Sequence, residues 1–210
     1  MSVEPKKVRR GKGRPTDLAE GELRSRITSE AARIFADMGY SGASIQDIVD
    51  AAGTTKPMVY YYFQNKEGLY REIFRTYHEW VTEKQGEIAE DKTLSTQEKL
   101  VRLVDTHFEA VRVSPNRARF MFAAHFGPRS EMPAVKDEDH EDVFFGTIVA
   151  LAAEGVERGD LEGDPFLIAQ ALLGQIMIHL TFHISGPRPI PLTDGAAERV
   201  VDQLLSGVGS

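Results

Sequence analysis

The sequence predicts an all-α chain: a small N-terminal three-helix head containing a helix-turn-helix, followed by a larger C-terminal helical body. Three observations predict it. Apolar residues recur at three- and four-residue spacing along most of the 210 residues. Helix-start signals repeat as Ser114-Pro115 and Asp164-Pro165, a capping side chain followed by a proline whose missing amide needs no intrahelical partner. No stretch alternates with the period of two that marks a half-buried strand, and no internal repeat occurs.

The elements follow in order. LRSRITSEAARIFADMG (23–39) carries an apolar stripe of Leu23, Ile27, Ala31, Ile34, Phe35 and Met38. In SIQDIVDAAG (44–53), Ser44 is a good N-cap, and Ile45, Ile48, Val49 and Ala52 form one apolar face. Gly53 then supplies the left-handed residue that a helix end needs. Thr55 caps a second short helix, with Lys56 and Pro57 in its first turn. Val59 and Phe63, four apart, turn back onto the preceding helix. Lys56, Tyr60, Tyr61 and Tyr62 are left to project. A short helix pair with a polar, aromatic second member suits the major groove of DNA.

QNKEGL (64–69) opens a long helix near Lys66, with a stripe of Leu69, Ile73, Tyr77, Trp80 and Val81. Residues 94–113 are amphipathic through Leu100, Leu103, Val104, His107, Phe108 and Val111. Pro115 opens the next helix and Gly127-Pro128 ends it. A polar, acidic connection (129–142) precedes a helix over 143–161; the run Asp137–Asp142 around His140 reads as a solvated loop or helix start. Residues 166–184 are apolar on nearly every face. SGPRPIPL (185–192) is a break, and Thr193 caps a final helix through Leu205.

Hydrophobic residues make up 41% of the chain, normal for a globular protein. No apolar run is read as a membrane span of about 20 residues, so no membrane partner is expected. The basic N-terminus is not followed by an apolar segment and is not read as a secretory signal. The chain has no cysteine, which excludes thiol chemistry and fits the cytoplasm. The net charge of −7 is unevenly spread. Residues 1–66 carry 11 basic and 8 acidic side chains, and residues 67–210 carry 14 and 24. Six of the basic groups lie in residues 1–15, against Glu4. That segment reads either as a solvating tail or as a flexible arm along a minor groove. The expected division is 1–15 basic arm, 16–66 DNA-binding head, 67–210 ligand-binding and dimerisation body.

A helix that is apolar all round must be covered all round. For residues 166–184 the cover is either an ordinary monomer core or a second copy. The second reading is favoured, with 165–184 and 193–205 of two chains forming a four-helix homodimer interface.

AARIFADMGY, SIQDIVDAAG and TKPMVYYYFQNKEGL, at fixed spacing over residues 24–74, resemble the DNA-binding domain of the TetR/AcrR family of transcriptional regulators. The remaining residues match only in length and helical character. The resemblance implies a double-stranded DNA operator and a small-molecule effector as partners, with no cofactor. It places Ser44 and Gln46 near phosphates and a base edge, Thr55 at a phosphate, and Lys56 and Pro57 deepest in the groove. It further implies that Tyr60, Tyr61 and Tyr62 offer hydroxyls to phosphates and that Lys66 holds a phosphate at a helix start. For Tyr62, packing inside the head is the competing reading. Met58 stands where the family often has a small hydroxyl residue, and it cannot donate a hydrogen bond.

The resemblance also implies an apolar pocket in the body. Candidate lining residues are Trp80, Phe108, Phe120, Met121, Phe122, Phe126, Phe144, Phe145, Met177 and Phe182, for each of which core packing is the competing reading. His107, His125, His179 and His183 are the polar groups available to orient a ligand. His179 and His183 are four apart, but spacing identifies no further ligand, so no metal is assigned. The function expected is a ligand-responsive repressor released from a palindromic operator by a hydrophobic or amphipathic effector, with half-sites at multiples of about 34 Å. The alternatives are an effector-independent DNA-binding protein, marked by a steep salt slope and little sequence preference, and a small helical enzyme acting on a lipid-like substrate. No acid-base pair, phosphate loop or nucleophile motif supports the enzyme.

Overall fold

Short-range signals set the boundaries of nine helices among the described residues of the computed structural model, which are residues 17–127, 133, 138–185 and 190–207. They are α1 (Asp17–Gly42), α2 (Ile45–Ala52), α3 (Lys56–Phe63), α4 (Lys66–Glu90), α5 (Thr96–Val113), α6 (Pro115–Phe126), α7 (Glu138–Arg158), α8 (Pro165–Ser185) and α9 (Ala196–Ser206). The basic arm lies outside the described residues, as does most of the 129–142 connection.

Side-chain caps account for the starts of four helices. Ser44 and Asp47 make a reciprocal capping box at α2, and Ser95 and Glu98 make another at α5. The Asn65 side chain accepts from the Gly68 amide at α4, and Asp164 accepts from the amides of Phe166 and Leu167 at α8. Gly53 ends α2 at φ 58, and its amide donates to the carbonyls of Asp50 and Val49. α9 begins later than Thr193, because residues 193–196 close a turn first and Gly195 is the N-cap. α7 begins at Glu138, within the acidic run read as a solvated loop or a helix start.

Two cores organise the helices. The first gathers Ile27, Ala31, Phe35, Ile48, Val59 and Phe63 of α1–α3 with Leu69, Tyr70, Ile73 and Phe74 of α4. Phe120 and Met121 of α6 belong to it as well. The second gathers the stripe of α5 with Ile148, Leu151 and Ala152 of α7, Leu172 and Ile176 of α8, and Val200 and Val201 of α9. Packing therefore does not divide the chain at residue 66: the first half of α4 and the middle of α6 complete the head. Met38 leaves the expected stripe and is 52% exposed, because Gly39 turns the chain at φ 72.

α8 has no Asp, Glu, Lys or Arg and is long and apolar enough to cross a membrane by length and composition, contrary to the expectation from sequence. Only 22% of its most apolar window is buried. Ala169, Leu172, Ile176 and Leu180 face the body core, while Phe166, Leu167, Ile178 and Phe182 are exposed.

Gly68 shows how closely α3 and α4 approach. A β-carbon there would lie 2.1 Å from the carbonyl oxygen of Phe63, a backbone atom that no rotamer change can move aside. Gly68→Ala is expected to destabilise the protein by about 1–3 kcal/mol, as overpacking does, and to lower its melting temperature; an unchanged melting curve would show that the α3–α4 turn yields freely.

Candidate functional site

The sequence from Ser44 to Phe63 places α2 against the head core and leaves α3 at its outer edge. Val59 and Phe63 are buried and anchor α3. On its other side Lys56, Pro57, Tyr60 and Tyr61 are exposed, Tyr61 at 69%. Thr55 holds the N-cap position without making a side-chain capping bond, so its exposed hydroxyl remains available. Met58 is half-buried. Ser44 and Gln46 are exposed but already engaged. The Ser44 hydroxyl bonds Asp47 at 2.6 Å and the Gln46 amide donates to Asp50 at 2.7 Å. Both side chains must exchange these partners to meet a nucleic acid. The bonds from Ser44 also hold the Asp47 carboxyl below the usual carboxylate range.

Two expected contacts are used inside the head instead. The Lys66 ammonium donates to the carbonyls of Tyr40 (2.8 Å) and Ala43 (3.0 Å) and sits 4.2 Å from the centre of the Tyr40 ring. It thus satisfies carbonyls freed where α1 ends, and ties α4 to the α1–α2 junction. Tyr62 is half-buried against the head core, and its hydroxyl points to the Glu20 carbonyl at 3.5 Å. Neither side chain is presented with Lys56 and Tyr61.

The candidate pocket residues separate into three groups. Phe120 and Met121 are buried in the head core: Phe120 packs 4.8 Å from Tyr70 and 6.1 Å from Phe35, so neither lines the body. Phe126 and Phe182 are exposed and cannot line an interior space in one protomer. Of the rest, Phe108, Phe144, Phe145 and Met177 belong to the body core. Phe108 is fully buried, 5.7 Å from His179, and Trp80, Phe122, Phe144, Phe145 and Met177 are half-buried. Phe145 meets Phe166 of α8 edge-on at 5.2 Å. His125 packs beside the rings of Phe74 and His78, at 5.8 and 5.6 Å. The Nδ1 atoms of His179 and His183 face the carbonyls of Gln175 and Ile190. Among the described residues no three His, Cys, Asp or Glu side chains are grouped as a metal would need.

His107 lies 4.4 Å from the Phe144 ring, and burial, aided by the neighbouring His78, pulls its imidazole down to about 4. Burial likewise pushes the Tyr77 hydroxyl up to about 12. Sequence reasoning missed Gln85, which is 1% exposed in the body. The available signal was a glutamine at position 85, four residues after Val81 and three before Ile88, on the apolar side of α4.

Fold and site define a class: all-helical chains with a helix-turn-helix head set on a helical body. Residues 27–73 match the family model described as bacterial regulatory proteins, tetR family. The match spans the helix-turn-helix head and the first part of α4. The chain is 33% identical over 88 residues to the transcriptional repressor KstR2 of Mycolicibacterium smegmatis, covering 42% of each chain. The chain spans less than half the length of the first curated relatives it matches. Its fold is similar to PfmR of Thermus thermophilus (25% identity, TM-score 0.71, 89% of this chain and 97% of that one). It is also similar to FadR of Bacillus subtilis in complex with stearoyl-CoA (21% identity, TM-score 0.69, 88% and 99%).

His107 carries a prediction about stability. Its folded value of about 4 lies below the ordinary 6.5, so acid protonates the unfolded chain first. Its contribution is fully present above about pH 6.5 and is lost as the pH falls toward 4, by about 3 kcal/mol at most. Melting temperatures measured between pH 7 and 4.5 should fall, and His107→Phe should flatten that slope; an unchanged slope would assign the loss to other groups.

Proposed function

We propose that this chain is a ligand-responsive transcriptional regulator that binds a palindromic operator as a homodimer and releases it when an effector enters the body. The observation that carries the reading is the outer face of α3. Lys56, Pro57, Tyr60 and Tyr61 are exposed together on a helix anchored by Val59 and Phe63. Lysine can donate to guanine acceptors, proline can touch a thymine methyl, and tyrosine hydroxyls can meet phosphates. Thr55, Ser44 and Gln46 flank this face. Tyr62 and Lys66 act indirectly, by holding α3 and α4 in place. The arm at 1–15 would add charge along the duplex.

Release requires the effector to prefer the body conformation that mispositions the heads, with a coupling of roughly 1–3 kcal/mol. α6 supplies a route, because it packs on α5 of the body and inserts Phe120 and Met121 into the head core. A displacement of α6 is therefore a displacement of the head. A hydrophobic or amphipathic effector is supported by the body aromatics and by the stearoyl-CoA held by the Bacillus FadR. Repression is supported by KstR2, and the matched relatives support a regulator in the cytoplasm rather than an enzyme. The exposed apolar residues of α8, with Leu205 of α9, support a two-fold interface of α8 and α9 with a second copy.

Lys56→Ala and Tyr61→Phe should each weaken operator binding about tenfold or more, with the dimer mass unchanged by native mass spectrometry. Full affinity in both would remove α3 as the recognition helix. Phe182→Asp should yield a monomer and abolish binding to a two-half-site operator, since an unpaired charge would be buried at the interface; a dimer of normal mass would place the interface elsewhere.

A further inference from the structure

The body interior holds polar atoms that the fold itself does not use. Gln85 on α4 is 1% exposed, and among the described residues neither its Nε2 nor its Oε1 has a hydrogen-bond partner. His107 on α5 is 6% exposed, and its Nε2 has none. Buried polar groups are ordinarily hydrogen-bonded, and leaving them without partners opposes folding. Two such side chains in one region call for a partner other than the chain.

Their placement narrows what that partner is. α4, α5 and α7 pack on one another, and α4 and α5 are joined by a short connection over residues 91–95. His107 neighbours His78 of α4, and Phe144 of α7 covers its ring at 4.4 Å. Gln85 lies seven residues further along α4 than His78, about 10 Å along the axis and on nearly the same face. Two polar stations therefore lie along one interhelical seam, with half-buried Phe144 over one of them. Lys99, the buried cation of α5, is already committed to the Ala89 carbonyl at 2.8 Å.

We propose that Gln85 and His107 are the polar recognition groups of the effector site, and that they select an elongated apolar molecule bearing uncharged hydrogen-bonding groups such as a carbonyl, thioester or hydroxyl. The Gln85 amide offers both a donor and an acceptor, and a neutral imidazole offers one or the other at Nε2. A carboxylate entering the seam would lose its hydration and meet no free cation among these residues. A plain hydrocarbon would leave the amide and imidazole unpartnered. This assignment rests on the effector-responsive reading above.

Fluorescence of Trp80, the single tryptophan, and the melting temperature of the full-length protein should be followed on titration with 2-dodecanone, dodecane and dodecanoate. The ketone should bind at least about tenfold more tightly than the other two, the worth of one net hydrogen bond. Gln85→Met and His107→Phe should erase that preference and raise the melting temperature of the unliganded protein, because each removes an unsatisfied polar group. Equal binding of all three probes, or of none, overturns the assignment. A lower melting temperature in both variants with the preference retained also overturns it, since Gln85 and His107 would then be structural. Operator binding measured on the same samples separates the two readings. Probe preference without operator binding retires the regulator and leaves the site; operator binding without probe preference does the reverse.

Discussion

Phe35 of α1, Tyr70 of α4 and Phe120 of α6 meet with ring centres 4.8 to 6.1 Å apart, and the rest of the structure depends on that contact. Tyr40 closes the cluster against Phe35 and Tyr70. The three rings come from three helices that are far apart in the chain. Through them the head is built partly from body helices. Protein interiors are packed like organic crystals, so a shift of one ring is passed to its neighbours rather than absorbed. Polar contacts follow the same route: Arg117 and Arg119 of α6 bond Thr28 and Asp37 of α1, and Arg24 pairs with Glu72 of α4. The position of α3 is in this way tied to the position of α6.

With the head held so, the polar residues of its outer face divide by task. Lys66 and Tyr62 stabilise the junctions that orient α3. Lys56, Tyr60 and Tyr61 stay exposed. Charge follows a similar division along the sequence, since the first 66 residues are net basic and the remainder strongly acidic. An acidic body is repelled from a phosphate backbone, which favours approach by the head.

The body leaves two kinds of surface unsatisfied, and they ask for different partners. Outside, α8 exposes Phe166, Leu167, Ile178 and Phe182, a broad apolar face that a second copy of the same helix can cover. Inside, Gln85 and His107 hold polar atoms away from water. Apolar surface needs area, which a protein supplies. Isolated buried donors and acceptors need directed partners, which a small molecule can bring.

Much of the head was legible because its signals are local. The Ser44 cap, the Gly53 turn and the buried pair Val59 and Phe63 act within a few residues of one another, so spacing alone reveals them. The α5 stripe was legible for the same reason, every member expected from periodicity being buried. What sequence could not decide was the destination of side chains whose partners lie 20 or more residues away. Lys66 and Tyr62 sit where DNA contacts were expected, yet they bond carbonyls 23, 26 and 42 residues earlier. Phe120 fits an apolar pocket in pattern but completes the head. Gln85 looks polar on paper and is buried because α5 and α7 close over α4. By itself the sequence determined most of the helices, several of their caps and the helix-turn-helix, since these depend on backbone hydrogen bonds and periodicity within a few turns. The tertiary structure decided which polar groups remain free, because packing of distant helices selects which donors and acceptors are met from within.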